Sequence, residues 1–191
     1  MAKIGLSNFR YSKLTESSDG KATYDGPHKP AKAVSCKVSV TNNDATLYAD
    51  DVLAESDYSF NSATVTIEID EDDPQTMADL LGHKVTAGSD SNSGEIVRNA
   101  DDTAPYVGLG RVITKMVNGV YKYKVEFLCK VKFSEPSQED KTKGDKVDFT
   151  TTELEGVASS LANGDWSKAK TFDTKQEAIT YLEGLMTKAG A

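Results

Sequence analysis

Two histidines, His28 and His83, and two cysteines, Cys36 and Cys129, are the side chains best suited to general-base or nucleophilic work. Each stands apart from the others in sequence. His28 lies in a Pro-flanked loop and His83 directly after a helical segment, positions that suit a surface or capping histidine. A pocket that grouped either one with carboxylates would favour an enzyme of unspecified type. The cysteines lack CxxC spacing and read as two buried free thiols rather than a disulfide or metal pair. No GxSxG, HExxH or GxxxxGK[ST] motif occurs.

Weaker signals have plainer readings. Gly108-Leu109-Gly110 resembles half a phosphate loop but lies in a strand pattern, where it leaves room for Cys129 and Phe127 opposite. The run Asp70-Glu71-Asp72-Asp73 could chelate a hard cation, yet just before Pro74 it suits a helix start. Asp90, Asn92, Gly94 and Asp101 partly mimic an EF-hand, but Glu95 stands where that loop needs Gly. Lone Trp166 reads as core or interface. Lys122, Lys124, Lys130 and Lys132 form a basic row beside Tyr121 and Tyr123. Strand alternation puts the lysines and aromatics on opposite faces, which argues for a solvated or intersubunit surface over a single-strand binding platform. No catalytic, cofactor-binding or metal residue is assigned, and no cofactor is expected.

The elements that would position these groups are mainly strands. Asn118-Gly119 is the preferred centre of a type I′ turn, because both residues tolerate positive φ. The register then sets Val117 against Val120 beside the turn, and pairs Met116 with Tyr121, Thr114 with Tyr123, Val112 with Val125 and Gly110 with Phe127 on one face. The other face pairs Lys115 with Lys122, Ile113 with Lys124, Arg111 with Glu126 and Leu109 with Leu128. The arms, 106–117 and 120–131, are each ~40 Å long, about twice a usual strand. Such a ribbon needs partners, and its edges invite pairing with another chain.

Residues 1–31 read as an extended arm broken by turn signals at Asp19-Gly20, Asp25-Gly26-Pro27 and Pro30. Ala33 to Thr41 alternates with Val34, Cys36, Val38 and Val40 on one side, and Asn42-Asn43-Asp44 is expected to turn it. Residues 45–58 fit neither clean helix nor clean strand. Ser59 to Asp70 is a strand with Val65, Ile67 and Ile69 inward. A helix follows, capped by Asp72 or Asp73, with Pro74 at its first position, Met77, Leu80 and Leu81 buried, and Gly82 ending it. Residues 86–104 are loop-like, with 88–94 as the loop proper. A strand is expected around Val147, Phe149 and Thr151. Thr174 to Lys188 is an amphipathic helix burying Ala178, Ile179, Leu182, Leu185 and Met186, with a Thr174–Glu177 capping box. The expected fold is a mainly β, antiparallel sandwich or half-barrel with one internal flanking helix and one C-terminal helix, in a single domain over 1–191.

Composition narrows the function. Of 191 residues 38% are hydrophobic, and 14 Gly add about 7%, a total at the low end of the globular norm, so part of the chain is solvated or buried only against partners. Acidic residues outnumber basic ones, 30 to 22, for a net charge of −8. That disfavours nucleic-acid binding through phosphate neutralisation. The start Met1-Ala2-Lys3-Ile4-Gly5 shows no signal-peptide core, and no apolar run approaches a membrane span. Cytoplasmic synthesis and no membrane binding are the expectations.

Six segments in order, Lys3-Ile4-Gly5-Leu6, Lys32-Ala33-Val34, Leu47-Tyr48-Ala49-Asp50-Asp51, Met77-Ala78-Asp79-Leu80-Leu81-Gly82, Pro105-Tyr106-Val107-Gly108-Leu109-Gly110 and Phe133-Ser134-Glu135-Pro136-Ser137, carry a resemblance. The chain resembles the major tail proteins, the tail tube subunits, of long non-contractile-tailed phages of Gram-positive bacteria, nearly end to end. That resemblance implies a tail-tube-like fold, hexameric rings stacked into a tube around a tape measure protein, and passage of phage DNA through the lumen. It further implies contacts with tail terminator and distal tail proteins, a place in the virion, and no catalytic residues. By position it makes 43–58 a stacking arm, with Leu47, Tyr48, Asp50, Asp51, Val52 and Leu53 as inter-ring contacts. Residues 160–191 become a helical extension that packs outside the ring. The hairpin residues Arg111, Lys122, Lys124 and Glu126 are expected at a subunit seam or in the lumen, where Glu126→Lys would slow DNA passage and leave tubes intact. The rival is a monomeric or trimeric β-sandwich that binds a receptor or carbohydrate.

Overall fold

Asn118 and Gly119 both take positive φ, 50° and 79°, as a type I′ turn requires. They join β7 (Val107–Val117) to β8 (Val120–Phe133) in the expected register from Val117–Val120 to Leu109–Leu128. A bulge then shifts the ladder, so that Val107 meets Val131. The computed structural model describes residues 2–19, 21–30, 32–49, 52–70, 73–86, 94–138 and 151–187.

The hairpin is the middle of one large antiparallel sheet. Its other strands are β1 (Ala2–Glu16), β2 (Ala22–Tyr24), β3 (Ala33–Ala49), β4 (Val52–Ile69), β9 (Thr152–Ser159) and β10 (Ser167–Phe172). The order is β2-β1-β7-β8-β9-β4-β3, and β10 lies on β8 as well. One edge of β8 is shared: Tyr123 to Leu128 pair with β10, and Lys130 to Phe133 pair with β9. A separate pair, β5 (Lys84–Thr86) with β6 (Glu95–Val97), follows α1 (Pro74–Leu81), and α2 (Lys175–Thr187) closes the described chain. The fold is therefore mainly antiparallel β with one internal and one C-terminal helix, as expected. No helix among the described residues is long and apolar enough to cross a membrane.

Both faces of the hairpin are covered, each by a different layer. Leu109 and Leu128 face a core shared with Phe9, Val65, Ile67 and Leu154, and with Met77 and Leu80 of α1. Val112, Val125 and Phe127 face Ala178, Leu182 and Met186 of α2. Gly110 permits that second contact, because a Cβ there would meet Leu182 Cδ1 at 2.3 Å. Gly108 makes room for the rings of Tyr24 and Phe127, and the expected space for Cys129 is instead taken up by Tyr24. The Tyr24 hydroxyl donates to the Cys129 carbonyl at 2.8 Å.

The helix signals hold. Asp73 caps α1 by accepting from Thr76 N at 2.9 Å, Pro74 is its first residue, and Gly82 ends it at φ 83°. Thr174 caps α2, its hydroxyl accepting from Glu177 N at 3.3 Å and donating to Glu177 Oε2 at 2.8 Å, so Glu177 takes the hydroxyl where a full capping box would take the backbone N–H. Cys36 and Cys129 are free thiols, the first half-buried and the second buried.

Several boundaries differ from the sequence reading. β3 runs straight through Asn42-Asn43-Asp44, and residues 45–49 and 52–58 are strand rather than irregular. Within the extended arm expected over 1–31, β1 is one long strand that pairs with β7 and buries Phe9 and Tyr11. A bulge between Ala33 and Ser35 puts Ala33 with Cys36 and Val38 against the core and leaves Val34 exposed. The strand expected around Val147 and Phe149 falls outside the described residues, and Thr151 precedes β9, which the sequence reading passed over. Residues 160–191 contain β10 and α2, whose packing completes the second core.

Candidate functional site

Two regions stand out, a projecting ribbon and a histidine held between carboxylates. The ribbon arises because β3 and β4 outrun the rest of the sheet. β9 accompanies β4 only from Ala63 to Ile69. Beyond that point residues 42–49 and 52–60 pair with each other and with nothing else among the described residues. A bulge at Thr41/Asn42 opposite Ser62/Phe60 marks the root. Phe60 there stacks on Trp166, and Val40 is already 48% exposed. Further out, Asp44 is exposed and Tyr58 is 64% exposed, so the ribbon has no buried face at these positions.

The residues expected in the stacking arm fall on this ribbon. Leu47 pairs with Glu55, Tyr48 with Leu53 and Ala49 with Val52 at its end. Asp50 and Asp51 lie outside the described residues.

Arg111 and Glu126 meet across β7 and β8 at 2.7 Å, with side chains only 12% and 19% exposed. Arg111 also reaches the Cys36 carbonyl at 3.5 Å, so the pair lies between the two layers of its own chain. Burial raises the Glu126 carboxyl, yet Lys124 and Arg111 together hold it below the usual range. Lys122 engages Asp173, Lys124 engages Glu126, and Lys130 engages Glu16. Lys130 and Lys132 also lie over the Tyr106 ring, 4.6 and 5.4 Å from its centre.

His83 is the residue whose surroundings the sequence concealed. Its Nδ1 lies 3.0 Å from Asp102 Oδ2 and its Nε2 lies 2.9 Å from Glu135 Oε2. Glu135 also holds Arg98 at 3.2 Å, and Asp102 accepts from Asn99 N at 2.9 Å. Asp102 is held below the usual carboxylate range, first by its hydrogen bond with His83. Together these groups line a cleft of about 560 Å³ with Lys132 and Phe133. Gly82 makes the approach possible, since a Cβ there would sit 2.3 Å from the Thr103 carbonyl oxygen. This is the grouping of a histidine with carboxylates in a pocket that the sequence reading set as the mark of an enzyme, but here both ring nitrogens already face a carboxylate of the chain itself. The arrangement is a clasp that ties α1, the 98–104 turn and the end of β8 together.

His28 is stacked on Tyr11, centroids 5.3 Å apart. Its Nε2 lies 3.2 Å from Asp25 Oδ2 but out of line for a hydrogen bond. A second polar cluster also escaped the sequence reading. Buried Asp79 accepts from the Tyr11 hydroxyl at 2.9 Å and Gln75 Nε2 at 2.9 Å, and pairs with Lys13 at 2.6 Å. Gln75 and Asp79 at helical spacing were its only sequence trace. Of the acidic groups weighed as cation sites, Asp73 caps α1 and Asp70 faces Lys32, while 71, 72, 90 and 92 fall outside the described residues. Among the described residues no three His, Cys, Asp or Glu are grouped to hold a metal ion.

Comparison with protein-family models and with curated proteins finds no match to this chain.

Proposed function

We propose that this chain is a structural subunit that assembles with copies of itself into stacked rings, the tail tube of a long non-contractile phage tail, and performs no chemistry. The observation that carries the reading is the β3–β4 ribbon, bonded only to itself beyond Ala63 among the described residues. Its ~30 Å length at ~3.4 Å per residue is marginal in water and gains stability when a neighbour covers it. It coincides with the segment in which the resemblance places ring stacking. The outer edge of β3, which pairs with nothing among the described residues, and the part of β1 before Tyr11, which β2 and His28 leave uncovered, offer seams for neighbouring subunits, and closing them edge to edge around a ring removes both. The net charge of −8 gives passing DNA little to adhere to. The expected partners are further copies, a tape measure protein and the proteins that end the tube, in the virion.

The test is electron microscopy of the purified chain at high concentration, with sedimentation, alone and with tape measure protein. Rings or tubes are expected. A chain that stays monomeric and forms neither overturns the reading, and a stable trimer carrying a glycan-binding groove replaces it with the receptor-binding rival.

A further inference from the structure

A cleft between β1 and the segment entering β3 is lined by Arg10, Lys29, Lys32 and Lys175, and by no carboxylate among the described residues. Its volume is about 390 Å³. It opens where β1 bulges between Ser7 and Arg10, with Asn8 at φ 50°. Two of the cations are only weakly engaged within the chain. Arg10 reaches Glu183 at 3.8 Å, and Lys32 reaches Asp70 at 3.9 Å with its side chain 88% exposed. A concentration of positive charge on an acidic chain calls for an acidic partner.

The opposite charge is equally concentrated. Residues 38–83 hold eleven of the 30 acidic residues and none of the 22 basic ones. Three of them, Asp44, Glu55 and Asp57, lie on the two strands of the ribbon, and Asp44 is exposed. Cleft and ribbon lie at opposite ends of the core part of β3. The cleft borders Ala33, and the ribbon leaves the sheet after Val40, roughly 25 Å away at ~3.4 Å per residue. Two complementary surfaces at opposite poles satisfy each other head to tail, and a head-to-tail contact repeats along an axis.

We infer that the cleft formed by Arg10, Lys29, Lys32 and Lys175 receives the acidic β3–β4 ribbon of a second copy of this chain. The inference rests on the stacking reading above and adds where the ribbon lands and by what chemistry. Like charges repel along the ribbon until the cleft neutralises them, so the contact is salt-sensitive.

The test uses the full chain. An equal mixture of ¹⁴N and ¹⁵N protein is treated with a carbodiimide, which joins amines to carboxylates in contact. Mixed-isotope cross-links from Lys29, Lys32 or Lys175 to Asp44, Glu55 or Asp57 are expected, and they should vanish near ~1 M salt, where the Debye length is ~3 Å. Their absence at low salt overturns the inference, whether or not tubes form. In micrographs, Lys29→Glu with Lys32→Glu should leave rings and abolish stacks. The same loss is expected for Asp44→Lys with Asp57→Lys, and combining all four changes should restore stacks. Normal stacking in either charge-reversed pair overturns the inference, and so does the loss, in the lysine pair, of binding to a short DNA duplex while stacks persist. Absence of rings in the unaltered protein overturns the tube reading instead, and leaves the cross-link to decide this contact.

Discussion

Trp166 lies flat on Phe60, their ring centres 4.3 Å apart and their planes 8° from parallel. The contact joins the turn before β10 to the root of the ribbon. It fixes the direction in which the ribbon leaves the core. Trp166→Ala should cost about 2–3 kcal/mol in stability, short of a fully buried Trp because the ring is half-exposed. As the only tryptophan, it also reports on itself. Phe60→Leu should shift the emission maximum of the folded protein to the red, and urea titration with fluorescence checks both.

Glu126→Lys separates a lumen residue from a core one. With Arg111 and Lys124 both on Glu126, the lysine would gather three cations between the layers. A loss of about 3–5 kcal/mol is expected, as for breaking a buried pair, with little soluble protein recovered. Glu126→Lys tubes of normal stability would mean that the pair contributes nothing to the fold. Chemical denaturation decides between them.

The pH dependence follows from Asp79. Burial raises its carboxyl, but hydrogen bonds from Lys13, Tyr11 and Gln75 outweigh that and leave it below its ordinary value. A folded value below the unfolded one means that the stabilisation is complete above about pH 4 and is lost as pH falls through the folded value. Asp79→Asn should lower stability at neutral pH by about 2 kcal/mol, the neutral amide forfeiting a charge-assisted network, and flatten the acid limb. Thermal melts from pH 7 down to pH 3 would show both.

Gly82→Ala should be more harmful than an ordinary cap substitution. The left-handed φ of 83° already costs a side chain about 1 kcal/mol, and the Thr103 carbonyl stands where the Cβ would go. The backbone has to shift, and His83 moves with it. The expected result is a lower melting temperature together with faster amide exchange through 98–104, a pattern His83→Ala should share in weaker form. Hydrogen exchange localises the change.

Thiol chemistry offers a further check. Burial pushes the Cys129 thiol up to about 11, and burial also raises Cys36, partly offset by Arg111. At pH 8 roughly one in a thousand Cys129 groups is thiolate. A colorimetric thiol reagent should react slowly with the native protein, Cys36 ahead of Cys129, and quickly with both after unfolding.

The features legible in the sequence were those written locally. Asn118-Gly119 dictated a turn and hence a register, and Asp73, Pro74 and Gly82 bounded α1 by capping chemistry. The ribbon was misread because Asn42-Asn43-Asp44 carries turn residues that an exposed strand tolerates when neither face is buried. The His83 clasp was invisible because Asp102 and Glu135 come from two other segments and meet it only through tertiary packing. Residues 45–58 were set apart by their failure to fit a clean helix or strand, as a ribbon with no buried face does, and the resemblance drew the bounds 43–58 around them.

The pairing of β1 with β7 has a consequence in time. During synthesis the first strand waits for about a hundred more residues before its partner exists. The Phe9 and Tyr11 surface it contributes stays uncovered meanwhile, and the α2 side of the hairpin closes later still. A polysome making this chain therefore carries many copies with unfinished walls, and the highly charged 38–83 stretch, emerging early with eleven carboxylates and no cation, keeps those nascent chains apart.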